Sequence, residues 1–167
     1  MANDKTPIKL IKGVYVNREL SWIKFNLRVL EQAADEDTPV LERGKFLSIF
    51  TSNLDEFFMV RVGSLYNEAK MHPDACDNKT KLTFGMQLKA IAERTPRLYE
   101  MREHVFTHLK RDLSEAGINI LTYDQLSEGR KDELKAQFNA RVLPLLSPMV
   151  IDAKHPLLRF ENLRCYM

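Results

Sequence analysis

Apolar side chains recur at three- and four-residue spacing along the first two thirds of the chain, and that period predicts helices. In RELSWIKFNLRVLEQAAD, Leu20, Ile23, Leu27, Leu30 and Ala34 fall on one helical stripe, with Asn17 placed to cap its start. Trp22, Phe25 and Val29 form a second apolar line, so this helix is expected to be buried on more than one side. Thr38-Pro39 reads as a cap followed by proline at the first helical position. The helix it opens should run from Pro39 to about Lys70, turning Leu47, Phe50, Leu54, Phe57, Phe58, Val62, Leu65 and Ala69 toward a core. MHPDACDNKT ends it. A third helix, roughly Leu82 to Ala116, presents Ile91, Leu98, Met101, Val105, Leu109 and Leu113; Pro96 should kink or split it, and Gly117 should stop it.

Three long amphipathic helices with short connections predict an antiparallel bundle over residues 17–117, preceded by an extended arm over residues 1–16. After Gly117 the pattern changes. INILTY is rich in β-formers and predicts a short strand, LSEGRKDELKAQFNARVLPLL a helix, and SPMVIDAKHPLL an extended, proline-punctuated passage. The expected fold class is therefore mainly α: a three-long-helix antiparallel bundle followed by the truncated beginning of an α/β unit, since too few strands follow to close a sheet.

Composition narrows the function classes. The 167 residues hold 25 basic and 23 acidic side chains in interspersed order, for a net charge of +2, which gives little support for nucleic acid as a partner. A mean hydropathy of -0.33 matches a soluble globular protein. There is no signal-peptide pattern and no run of about eighteen apolar residues to cross a bilayer, so a cytoplasmic place is expected. Cys76 and Cys165 stand far apart without metal-ligand spacing, as free thiols in a reducing compartment.

Chemistry-bearing residues are few. Asn53 lies on the same helix face as Ile49, Phe50 and Phe57, so its amide is expected in an apolar wall and in need of a partner. Two readings stand: a core amide bonded to a neighbouring helix, or an amide offering donor and acceptor together to the edge of an adenine. Asp55 and Glu56 are adjacent, hence about 100° apart on a helix, and form a poor acid-base dyad; a solvated edge or partners for Arg61 is expected instead. His104 and His108 have the i, i+4 spacing of two metal ligands, but no HExxH pattern or third ligand accompanies them, so an exposed polar face is the expectation. His155 is a lone histidine before a proline, suited to a structural or supporting role. No phosphate-cradling glycine loop and no nucleophile-histidine grouping is present.

The stretch RELSWIKFNLRVLEQAADEDTPVLERGKFLSIFTSNLDEFFMVRVGSL closely resembles the N-terminal segment of the long-chain polyphosphate kinases, the type that works through a phosphohistidine. Similarity continues through AIAER, GINIL and LPLLSPMVIDAKHP, the last resembling the entry to that family's head domain, whereas LLRFENLRCYM departs from it. The resemblance implies an enzyme that reversibly transfers the terminal phosphoryl group of ATP to a growing polyphosphate chain with Mg2+. The family's last two domains carry the phosphorylated histidine and the polyphosphate tunnel. It implies residues 1–117 as the helical N-terminal domain and residues 118–167 as an incomplete start of the head domain, with the catalytic domains and the Mg2+ ligands outside this chain. None of the four histidines, His155 included, corresponds to the phosphorylated one, so no catalytic residue is assigned. The asparagine of SNLDEF, here Asn53, corresponds to the family residue that contacts the nucleotide base. The chain alone is then expected to be inactive and to bind ATP weakly, on the order of millimolar or poorer. The full-length protein is expected to be a homo-oligomer, at most peripheral to the inner membrane. The rival from another class is a non-enzymatic helical interaction or dimerisation module, docking through the stripe of the first helix and the aromatic run of the second.

Overall fold

The computed structural model describes residues 15–148, 152 and 161. The N-terminal arm before Tyr15, most of SPMVIDAKHPLL, His155 and Cys165 lie outside the described residues. The chain divides into two compact units between Ile120 and Leu121.

In the first unit, α1 (Arg18–Ala34) begins at Asn17, whose side-chain oxygen accepts from the backbone N–H of Glu19 and Leu20 and so satisfies two otherwise free donors of the first turn. α2 (Val40–Glu56) starts one residue later than the Thr38-Pro39 pattern predicts: Pro39 itself is the cap, and no side chain caps the helix. Thr38 is spent instead in a turn, its N–H donating to the Asp35 carbonyl. The backbone then stays right-handed helical through a six-residue π-helical stretch, Phe57–Val62, into α3 (Gly63–Met71). α4 (Phe84–Glu115) is one unbroken helix of 32 residues capped by Thr83. Pro96 does not split it: the residue is exposed, and burial of Ile91 and Leu98 on either side of it holds both halves against the same core. Gly117, at φ +83, closes the helix, with Gly117 N–H donating to the Ser114 carbonyl and Ile118 N–H to that of Leu113. This is the left-handed stop that glycine adopts without steric penalty.

Side-chain links fix the directions of the helices. Asn17, at the start of α1, bonds Gln87 in the first turn of α4, while the carbonyl of Ala33, at its end, accepts from Arg43 in the first turn of α2, and Arg43 pairs with Asp112 near the end of α4. Thus α1 runs antiparallel to α2 and parallel to α4, an up-down-up three-helix bundle. Its core is Ile23, Leu30, Ala33, Leu47, Phe50, Leu54, Phe57, Leu65, Ile91, Leu98, Val105, Leu109 and Leu113. Two expectations are corrected. Ala33 rather than Ala34 ends the buried stripe of α1, and the second apolar line of that helix is not buried, since Phe25 is 46% exposed and Trp22 and Val29 are half-buried. Three helices close one core, and among the described residues of the first unit no fourth long helix covers the far side of α1.

INILTY, which straddles the boundary between the two units, forms no strand. Thr122 and Gln125 make a reciprocal capping box around a short 3-10 turn, Tyr123–Gln125. A strand needs a partner to receive its backbone groups, and among the described residues no second strand is paired with it. The predicted helix is present as α5 (Glu128–Gln137), continuing as a π-helical stretch, Phe138–Val142, and a 3-10 turn at Leu143–Leu145. The beginning of an α/β sheet is thus not seen among the described residues.

Candidate functional site

Where α1 crosses the end of α2, Trp22, Phe25, Asn53, Glu56, Phe57, Val60 and Arg61 line an open cavity of about 200 Å3. Pockets that bury a whole drug-sized ligand measure roughly 300–1,000 Å3, so this one suits a planar ring rather than a complete nucleotide. The π-helical stretch shapes its floor. Widening the turn lets Phe57 face the core while Val60 and Arg61 reach the rim, and such π stretches are frequent at functional positions. The Trp22 and Phe57 rings stack with centroids 4.2 Å apart and planes within 2°, and Phe58 meets Phe57 edge-on at 5.8 Å. Half-buried Trp22 and exposed Phe25 thus present an aromatic wall braced from behind by Phe57.

The polar element of the wall is an amide relay. Asn26, fully buried, donates from Nδ2 to the Phe50 carbonyl at 3.0 Å, and Asn53 Nδ2 donates to Asn26 Oδ1 at 3.1 Å. A carbonyl can only accept, so Phe50 dictates which way the Asn26 amide points, and Asn26 in turn obliges Asn53 to donate. One N–H of Asn53 is consumed; its second N–H and its Oδ1 make no hydrogen bond to the described residues. That leaves a donor and an acceptor on one amide, the two kinds of group that the amino-and-ring-nitrogen edge of adenine takes.

Arg61, at the rim, pairs with Glu19 at 3.4 Å, and Glu19 is also held by Arg18 at 2.8 Å. Of the two expectations for Asp55 and Glu56, a pairing with Arg61 is not seen, since Arg61 pairs with a buried carboxylate on α1, whereas Glu56 is an exposed edge that lines the cavity; Asp55 is half-buried outside the lining, and the two form no dyad. His104 and His108 lie on α4, outside the residues that line this cavity. Among the described residues no group of three or more His, Cys, Asp or Glu could hold a metal ion. With neither nucleophile-base pair nor metal cluster in its lining, the cavity can bind and orient; the groups for bond-making chemistry are not in its walls.

Sequence reading missed Asn26, although its signal was present: Ile23, Asn26, Leu30 and Ala33 are the buried stripe of α1, and an amide interrupts it. The same holds for Arg43 between Val40 and Leu47 and for Gln87 between Phe84 and Ile91.

The sequence model described as "Polyphosphate kinase N-terminal domain" matches residues 15–121. The chain belongs to that family. A protein of Halalkalibacterium halodurans named polyphosphate kinase is 48% identical over 143 residues, 85% of this chain and 20% of the relative. One of Staphylococcus saprophyticus with the same name is 41% identical over 148 residues, 89% of this chain and 21% of the relative. The crystal structure of polyphosphate kinase from Porphyromonas gingivalis superposes with a TM-score of 0.68 at 33% identity, covering 87% of this chain and 20% of that one. The chain thus spans about one fifth of the length of the polyphosphate kinases it matches. The matched residues coincide with the helical bundle and include every residue lining the cavity.

Proposed function

We propose that this chain is the N-terminal part of a polyphosphate kinase that transfers the terminal phosphoryl group of ATP to polyphosphate, and that its share of the work is to hold the adenine. The observation that carries the reading is the relay from the Phe50 carbonyl through Asn26 to Asn53, which leaves one amide N–H and one amide oxygen in an aromatic-walled cavity. Pre-orientation of that amide is what makes it useful: its rotamer is held before the base arrives, so less ordering has to be met by binding. Phosphoryl transfer also needs a nucleophile, a clamp on the phosphates and Mg2+, and these come from the parts of the enzyme beyond this chain. Residues 118–167 are the entry to the head domain, and the assembled enzyme is a homo-oligomer.

The test is Asn53→Ala in the full-length enzyme, with Asn53→Gln as the conservative variant. Loss of two hydrogen bonds to the base should raise KM for ATP by about thirtyfold to 150-fold, from roughly 1–1.5 kcal/mol per bond. KM for polyphosphate in the reverse direction should not move. An unchanged KM for ATP in a folded Asn53→Ala enzyme excludes the base contact.

A further inference from the structure

The His104 and His108 imidazoles face one another one turn apart on α4, with their Nε2 atoms 3.3 Å apart and ring centroids at 4.4 Å. From this geometry we propose that the pair is a zinc-chelating site on the surface of the bundle, separate from the aromatic cavity. Zinc-imidazole bonds are about 2.0–2.1 Å long, and at a tetrahedral angle the two ligand nitrogens are then about 3.3–3.4 Å apart. The observed separation equals that bite; in the structure it is a nitrogen-to-nitrogen hydrogen-bond contact, which an ion would replace once both Nε2 atoms are unprotonated.

The surroundings favour a dication. Two of the nearby cations are engaged, Arg102 with Glu103, and Arg111 with Asp112 and Glu115. Glu100, exposed one turn before His104, adds negative charge. Imidazole nitrogens select zinc-like ions over Mg2+, which prefers oxygen donors, so the site does not draw on the magnesium pool. Two protein ligands leave two tetrahedral positions open to water or to a donor from outside. The site lies toward the end of α4 marked by the Arg43–Asp112 pair, whereas the cavity residue Arg61 is tied to Glu19 at the opposite end of the bundle.

Half the ligand set of a structural zinc site predicts a dissociation constant on the order of 1–100 µM. The experiment is calorimetric titration of ZnCl2 into the untagged, chelator-stripped chain with Cys76→Ser and Cys165→Ser in place, so that thiols cannot compete. One equivalent should bind, saturating zinc should raise Tm by about 5 °C, and EDTA should reverse both effects. His104→Gln and His108→Gln should each weaken binding at least about tenfold while retaining helicity by circular dichroism, and His72→Gln should leave it unchanged. Binding that survives both α4 substitutions, is lost with His72→Gln, or is not detected up to about 1 mM zinc overturns the proposal.

Discussion

Removing Asn26 tests the amide relay directly. The side chain is fully buried, donates to Phe50 at 3.0 Å and accepts from Asn53 at 3.1 Å. Asn26→Ala deletes both bonds, each contributing about 1 kcal/mol net, and leaves a void of a few heavy atoms worth about another 1 kcal/mol, for a loss near 3 kcal/mol. Asn53→Ala deletes only the second bond and leaves Asn26 Oδ1 without its protein partner, a loss of about 1–2 kcal/mol. If the two amides act as a pair, the double variant should be less destabilised than the sum of the singles, with a coupling of about 0.5–1.5 kcal/mol. Urea denaturation of the four proteins, read at constant m, supplies the cycle. A coupling below about 0.3 kcal/mol would show that the Asn26–Asn53 bond does not form in solution, and the pre-orientation of Asn53 would go with it. Asn26→Ala in the full-length enzyme should raise KM for ATP less than Asn53→Ala does, since it frees the amide to rotate without deleting it.

Arg43, nearly buried, ties the end of α1 to the end of α4 through Ala33 and Asp112, so Arg43→Ala should cost about 2–4 kcal/mol, measured by the same unfolding assay; a loss under 1 kcal/mol refutes the tie. The Arg43 and Arg111 guanidiniums hold the Asp112 carboxyl below its ordinary value, and backbone N–H and hydroxyl donation from Thr80 does the same for Asp77. Groups with depressed folded values stabilise above the unfolded carboxylate pKa of about 3.9 and lose that contribution as pH falls below it. Stability should therefore decline as pH falls below about 4, less steeply in Arg43→Met, and an identical slope there removes Asp112 from the account. Pro96 lies exposed inside α4 without an N–H to give the preceding turn, so Pro96→Ala should stabilise by about 1–3 kcal/mol; a fall in Tm would show that the helix depends on the proline's backbone shape.

The local sequence determined the helices and their ends. Asn17 caps α1 because its side chain reaches the first-turn donors whatever lies beyond, and Gly117 stops α4 because φ +83 suits glycine. The apolar period likewise placed Ile23, Leu30, Phe50, Leu54, Leu98 and Leu109 in the core, since a helix that buries one face must turn those positions inward. INILTY shows the limit of such reasoning: β propensity describes how residues suit a sheet, and a strand forms only where another backbone takes up its hydrogen bonds. The π-helical turn left no mark in the apolar period, which passes through Phe57, Phe58, Val62 and Leu65; a widened turn is stabilised by what packs around it, here Trp22 stacked on Phe57. The polar residues on the buried stripes were visible as exceptions at Asn26, Arg43 and Gln87. Their partners Asn53, Asp112 and Asn17 are 27, 69 and 70 residues away in the chain. Only the up-down-up packing brings these groups within hydrogen-bond reach, because a hydrogen bond depends on distances of about 3 Å that no periodicity along one helix encodes.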